Sequence, residues 1–175
     1  MPCKGRSTIA AGSGTTLTKA ATWESGAILG GSGTYTPGGT FGSAGIHIAP
    51  GTSIGTLTVG NAVDLHNSGV LDIQVDGTQT QQADKLIVTG DLNLTGSTLN
   101  VTEIDNHHGT FTSIQIVSYT GTLTGLFATQ NLPSGYTIQN ETGGKQILLL
   151  PEPATMALLG LGALGMAFNR RRRRR

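Results

Sequence analysis

Leu57-Thr-Val59, Val63-Asp-Leu65 and Leu71-Asp-Ile73 return further along the chain as Leu86-Ile-Val88, Leu92-Asn-Leu94 and Leu99-Asn-Val101, with offsets of 29, 29 and 28 in residue number. Each triplet sets two apolar residues around a central one, the period-two pattern of a strand with one buried face. Gly60, Gly69, Gly90 and Gly96 punctuate the triplets, and Asp76-Gly77 to Asp84 forms a longer loop between the two units. A unit this short cannot bury its apolar row alone and must stack on its neighbour. The pattern therefore predicts a parallel β-helix, with Leu57 over Leu86 and Leu65 over Leu94 inside. A β-sandwich is the alternative, because a Gly/Thr-rich sandwich shows similar alternation.

The outward positions test the stacking. Stacked strands lie about 4.8 Å apart and like charges placed opposite one another destabilise them. The repeat sets Asp64 against Asn93 and Asp72 against Asn100, so carboxylate faces amide. Outside these units the alternation continues through Ile114-Gln-Ile116, Tyr136-Thr-Ile138 and Gln146 to Leu150, strands expected to close the open end. Before residue 46 the chain is rich in Gly, Ser and Thr, with Trp23 and Phe41 expected to cap or begin the stack.

Composition agrees with an all-β chain. Of 175 residues, 27 are glycine, 12% are charged and 5% aromatic, with a single cysteine, Cys3. A disordered solvating chain carries more charge, a disulfide scaffold more cysteine, and a helical bundle more Ala, Leu, Glu and Lys. Six of the 11 Lys and Arg are Arg170, Arg171, Arg172, Arg173, Arg174 and Arg175. Before Pro151 five basic residues stand against nine acidic ones, a balance that speaks against nucleic-acid binding.

Carboxylates are the obvious place to look for chemistry, because some β-helices cleave polysaccharides. On a straight strand Asp72 and Asp76 share the outward face roughly 13 Å apart, wider than the ~5–9.5 Å of glycosidase pairs. Asp84 and Asp91 read as turn residues. Asp76, Asp84, Glu103 and Asp105 match neither an EF-hand nor a calcium-binding nonapeptide repeat. His107-His108 lacks a third ligand at a recognisable spacing, His47 reads as a solvated outward residue, and no G-x-S-x-G elbow occurs. The expectation is no enzyme, no cofactor and no metal site.

From Pro151 onward the chain has a different character. Pro151-Glu152-Pro153 stops the strand, and Ala154 to Phe168 follows without a charge, carrying Leu158, Leu159, Leu161 and Leu164 before the arginine run. As a helix that segment rises about 1.5 Å per residue, roughly 22 Å against the ~30 Å hydrocarbon core of a bilayer. Its apolar circumference requires burial in protein or lipid. Arginines immediately beyond it suit a membrane helix whose basic end faces the cytoplasm. Gly160-Leu-Gly162-Ala-Leu-Gly165 matches a dinucleotide fingerprint, but no strand precedes it and no acidic residue follows.

The order of a Pro-Glu-Pro motif, an apolar segment and an arginine cluster resembles the PEP-CTERM sorting signal of bacterial envelope proteins. The resemblance implies a transient membrane anchor, cut near Pro151, Glu152 and Pro153 by an exosortase, an integral membrane cysteine protease. It also implies export. Met1-Pro-Cys-Lys-Gly-Arg-Ser7 does not lead into the ~7–15-residue apolar stretch of a secretory leader. The expectation is therefore either a chain that starts further upstream or a protein that is not exported.

A second resemblance runs from about residue 45 to 130. Ala49-Pro-Gly-Thr-Ser-Ile-Gly-Thr-Leu-Thr-Val-Gly60, Ala83-Asp-Lys-Leu-Ile-Val-Thr-Gly90, Gly96-Ser-Thr-Leu-Asn-Val101 and Gly125-Leu-Phe127 are similar to the passenger repeats of autotransporters. That likeness implies a right-handed β-helix outside the cell and no particular chemistry.

Taken together, these readings divide the chain into 1–45, a Gly/Ser/Thr-rich start; 46–150, the β-helix with closing strands; and 151–175, the sorting tail. The expected protein is a non-enzymatic envelope or surface protein, held at the inner membrane with its body outside the cytoplasm and then released to the surface or medium. Its expected partners are the membrane, an exosortase-like protease and an exopolysaccharide matrix. A glycan-active or glycan-binding β-helix is the alternative.

Overall fold

In the computed structural model the described residues are 8–11, 16–17, 23–42, 45–104 and 113–151. They form an all-β solenoid of three sheets. The first sheet stacks β1 (Thr8–Ala11), β3 (Ile28–Gly31), β6 (His47–Pro50), β9 (Val70–Val75), β12 (Thr98–Glu103) and β15 (Thr129–Asn131) in that order, all parallel. The second runs through β2 (Thr16–Leu17), β4 (Gly33–Tyr35), β7 (Thr56–Val59), β10 (Lys85–Val88) and β13 (Ile114–Tyr119), also parallel. The third, narrow, comprises β5 (Phe41–Gly42), β8 (Val63–Asp64), β11 (Leu92–Asn93) and β14 (Leu123–Thr124). From β3 to β15 the chain visits the three sheets in turn. The two-sheet sandwich considered as an alternative is therefore not the architecture.

Registers follow the sequence repeat. Leu57 pairs with Leu86, Val59 with Val88, Asp64 with Asn93, Leu71 with Leu99 and Asp72 with Asn100. Inward columns are apolar from coil to coil, as in Leu29, Ile48, Leu71 and Leu99, none of which is exposed to solvent. Parallel strands reward this arrangement, since identical positions recur on the same face and one column of side chains fills the tube. The shorter offset of the third triplet arises at one corner. There Asn67 and Ser68 adopt φ of 52° and 75°, and their amides donate to the Thr95 and Gly96 carbonyls of the next coil.

Strands before residue 46 join the same sheets. At that end Trp23 meets Phe41 edge-on with ring centroids 5.1 Å apart, and Tyr35 meets Phe41 at 5.4 Å. These rings fill the first coils, where β4 and β5 are short and glycine-containing. At the other end β17 (Gln146–Pro151) pairs antiparallel with β13, and β16 (Tyr136–Glu141) pairs antiparallel with β17. This hairpin covers the edge that a further coil would occupy in the second sheet.

The expected helix from Ala154 to Phe168 and the arginines beyond it lie outside the described residues. Among the described residues no helix is long and apolar enough to cross a membrane.

Candidate functional site at the closing hairpin

The hairpin is built from two alternating runs, Tyr136-Thr-Ile-Gln-Asn-Glu141 and Gln146-Ile-Leu-Leu-Leu-Pro151, joined through Thr142-Gly-Gly-Lys145. Lys145 turns with φ of 50°, and its side-chain amine donates to the Thr120 carbonyl. Ile147 and Leu149 are completely buried, which anchors β17 to the core. On one side β17 pairs with β13 from Gln146 opposite Ser118 to Leu149 opposite Ile114. Its pairing with β16 continues further, with Leu150 opposite Thr137 and Pro151 opposite Tyr136. Among the described residues, the end of β17 is thus paired with β16 alone. Leu150 and Pro151 are both half-buried, and Pro151 has no N–H to donate.

Tyr136 secures that end. Its ring is buried, and its hydroxyl donates to Glu103 Oε1 at 3.1 Å, tying the start of β16 to the end of β12. Further along, Gln115 Nε2 donates to Gln146 Oε1, and Gln146 Nε2 donates to Glu141 Oε2, each at 2.5 Å. Polar side chains thus bracket the hairpin across β13, β17 and β16.

Of the tail residues singled out by sequence, only Pro151 is described, as the end of β17. Glu152, Pro153, Ala154, Leu158, Leu159, Leu161, Leu164, Phe168 and Arg170 to Arg175 lie outside the described residues, as do Cys3, Asp105, His107 and His108.

The carboxylates of the body take structural positions. Asp76 corrects its sequence reading: rather than sharing an outward face with Asp72, it is 7% exposed. The strand ends at Val75, where the chain folds back through a bridge to Ala83, and Asp76 Oδ1 accepts from the Thr78 amide at 2.9 Å and hydroxyl at 2.5 Å. Asp72 does face outward. It accepts from Asn100 Nδ2 at 2.7 Å and lies 3.3 Å from His47 Nδ1, while Asn131 Nδ2 donates to Asn100 Oδ1 at 2.7 Å. A polar ladder therefore crosses four coils from His47 to Asn131.

Asp84, read from sequence as a turn residue, is 1% exposed. Its Oδ1 accepts the Gly55 amide and its Oδ2 the Gln74 amide, both at 2.8 Å, joining the corners of two successive coils. Burial pushes its pKa up to about 7, with the Gln74 and Gly55 amides acting in the opposite direction. Gly51, at φ of 80°, leaves room for it: a Cβ there would stand 2.5 Å from Asp84 Oδ1 and collide with the Ser53 carbonyl. The signal is present in the repeat, since Asp84 follows Gly55 by the same interval that separates Leu57 from Leu86. Among the described residues no three His, Cys, Asp or Glu converge as a metal site.

The family described as the PEP-CTERM protein-sorting motif matches residues 150–174. The match starts inside β17 and spans the Pro-Glu-Pro motif, the apolar segment and the arginines up to Arg174. It implies a surface protein targeted to an exosortase-type membrane processing partner. No curated protein matches the chain.

Proposed function

We propose that the chain is a non-enzymatic envelope protein whose solenoid is delivered to the cell surface by its C-terminal signal. Residues Ala154 to Phe168 hold it in the inner membrane with the body outside the cytoplasm. An exosortase-type protease then cuts near Pro151 to Pro153, leaving the body at the surface or in the medium. The observation that carries this reading is the match over 150–174, which begins in the last two residues of the closing strand β17.

Finer features of the proposal rest on the body. Coils with autotransporter-like strings suit an extracellular scaffold, and a right-handed sense follows the strong preference of parallel crossover connections. Outward rows of Thr, Asn and Gln, including the ladder from Asp72 to Asn131, suit association with an exopolysaccharide matrix. The carboxylates support a role without catalysis: Asp76 and Asp84 are buried and bound to backbone, and Asp72 is bound to Asn100.

The test is intact-mass analysis of envelope and extracellular fractions from a bacterium carrying the processing protease. The expected product ends near Pro151. Residues 1–151 carry five basic and nine acidic side chains, a net −4 in place of +1. It would retain neither the apolar segment nor the attraction of arginine for anionic lipid. A steady-state population that still ends at Arg175 would refute processing. Turnover of a polysaccharide, lost on changing one carboxylate, would refute the non-enzymatic role.

A further inference from the structure

Asp91-Leu-Asn93-Leu-Thr95 is one of three places where the chain carries Asn-X-Thr, the acceptor motif for N-linked glycans; the others are Asn100-Val-Thr102 and Asn140-Glu-Thr142. Only the first also has an acidic residue two positions before the asparagine, the stricter form of the motif that bacterial transferases read. β11 lies at its centre, and the strand's period of two decides its exposure. Leu92 and Leu94 are both buried in the core, which turns Asp91, Asn93 and Thr95 together onto the outer face of the narrow third sheet. There Asp91 and Thr95 are exposed and Asn93 is half-buried.

Hydrogen bonding separates Asn93 from the other two asparagines. Its Oδ1 accepts from the Thr95 hydroxyl at 2.8 Å and the Thr95 amide at 3.1 Å, and its Nδ2 donates to no described residue. Asn100 has its nitrogen committed to Asp72 Oδ1 at 2.7 Å and its oxygen to Asn131, inside the polar ladder. Asn140, in β16 opposite Ile147, buries its Oδ1 without a partner among the described residues. Glycan transfer uses the side-chain nitrogen and needs an open path for the sugar. Asn93 offers both. Asp91 Oδ1 accepts the Thr122 amide at 2.7 Å while the residue stays exposed, so its charge stands at the surface beside the acceptor.

We propose that Asn93 is an N-glycosylation site that takes an oligosaccharide from a polyprenyl-diphosphate donor on the outer side of the inner membrane. Asn93 Nδ2 attacks the anomeric carbon. The C–N bond forms as the bond from that carbon to the diphosphate oxygen breaks, the Nδ2 proton passes to a base on the transferase, and the polyprenyl diphosphate leaves. The Thr95 hydroxyl and the Asp91 carboxylate are the groups by which the transferase recognises the site. Because the row faces outward while Leu92 and Leu94 stay in the core, the attached glycan leaves the stack undisturbed. This inference rests on the reading above that places the body outside the cytoplasm.

The test secretes the full chain behind a cleavable leader in a bacterium carrying an oligosaccharyltransferase with its lipid-linked donor and the processing protease, and reads intact mass and the peptide spanning Asn93. Supplying the leader tests the site independently of the chain's own export. The exported chain should gain the mass of one glycan on Asn93, and Asn93→Gln should lose it entirely. Asp91→Asn, which keeps an oxygen for the Thr122 amide but not the charge, should lower occupancy severalfold. Thr95→Val should abolish modification and Thr95→Ser should retain it, whereas Asn100→Gln and Asn140→Gln should leave it unchanged. An unmodified Asn93 in cells that glycosylate a control secreted protein overturns the site, as does a glycan on Asn100 or Asn140 instead. A glycosylated chain that still ends at Arg175 upholds the site and refutes processing; an unglycosylated chain ending near Pro151 upholds processing and refutes the site.

Discussion

The coils from His47 to Glu103 and the hairpin from Tyr136 to Pro151 solve opposite problems with the same strand chemistry. In the coils every strand has a parallel neighbour in each flanking turn of the chain, and side chains meet their equivalents, as Asp72 meets Asn100. Nothing in such a translation says where to stop. In the hairpin the neighbour arrives through a local turn, pairs antiparallel and interrupts the translation. The coils derive stability from contacts between positions a full repeat apart in sequence, while the hairpin adds pairing within its own loop to the contacts that Tyr136, Ile147 and Leu149 make with the coils. Burial is therefore complete along the inward columns of the stack and partial at Leu150 and Pro151.

The largest break in that contrast is expected from a charge placed inside each region. Leu71→Asp puts a carboxylate in a column with no solvent exposure and should cost roughly 4 kcal/mol or more, a large share of a domain's stability, so that no cooperative melt remains. Leu150→Asp, at the half-buried end of β17, should cost about 1 kcal/mol and leave the melt cooperative. Equal loss in thermal denaturation would show that the hairpin end belongs to the same cooperative unit as the coils.

Asp84 gives the coils a pH dependence. Its folded pKa of about 7 lies above its ordinary value of 3.8, so between those values the folded chain holds a proton that the unfolded chain has released. The stabilisation from this group is complete below about pH 4 and is lost as pH rises through 7. Asp84→Asn removes that slope, and because its amide nitrogen cannot accept, leaving one of the Gly55 and Gln74 amides without a partner, it also costs about 1–3 kcal/mol at acidic pH. Melting temperatures from pH 4 to 8 should show the gap between wild type and variant narrowing as pH rises. A constant gap would mean that Asp84 titrates normally.

Smallest is the effect expected at two polar groups, one in the coils and one beside the hairpin. Asp72→Lys removes the acceptor for Asn100 and the partner of His47 on a solvent-facing ladder, and should cost about 1 kcal/mol. Tyr119, at the end of β13 beside the hairpin, buries a hydroxyl that has no hydrogen-bond partner among the described residues. Tyr119→Phe should therefore be neutral or stabilise by up to about 1 kcal/mol. A loss in chemical denaturation would show that the hydroxyl is satisfied in solution.

The chain's sequence by itself determined the inward and outward faces and the register of two coils, because parallel stacking repeats chemical character at fixed offset and an offset can be read. The tail was legible too, since its motif, apolar run and arginines are contiguous. Beyond the two matched units the spacing changes: Ile48 pairs with Leu71 across a shorter interval than Leu71 with Leu99, and Leu86 pairs with Val117 across a longer one than Leu57 with Leu86. A self-match at constant spacing loses those coils, although their columns still align. Only the tertiary structure decided that Asp76 and Asp84 turn inward, because their burial depends on where a corner folds back and, for Asp84, on the Gly55 amide of another coil. It likewise decided that β17 enters between β13 and β16 and pairs antiparallel with both. Adjacency along the chain shows where a strand ends, but which of its residues are held on both sides depends on neighbours that the fold brings from elsewhere.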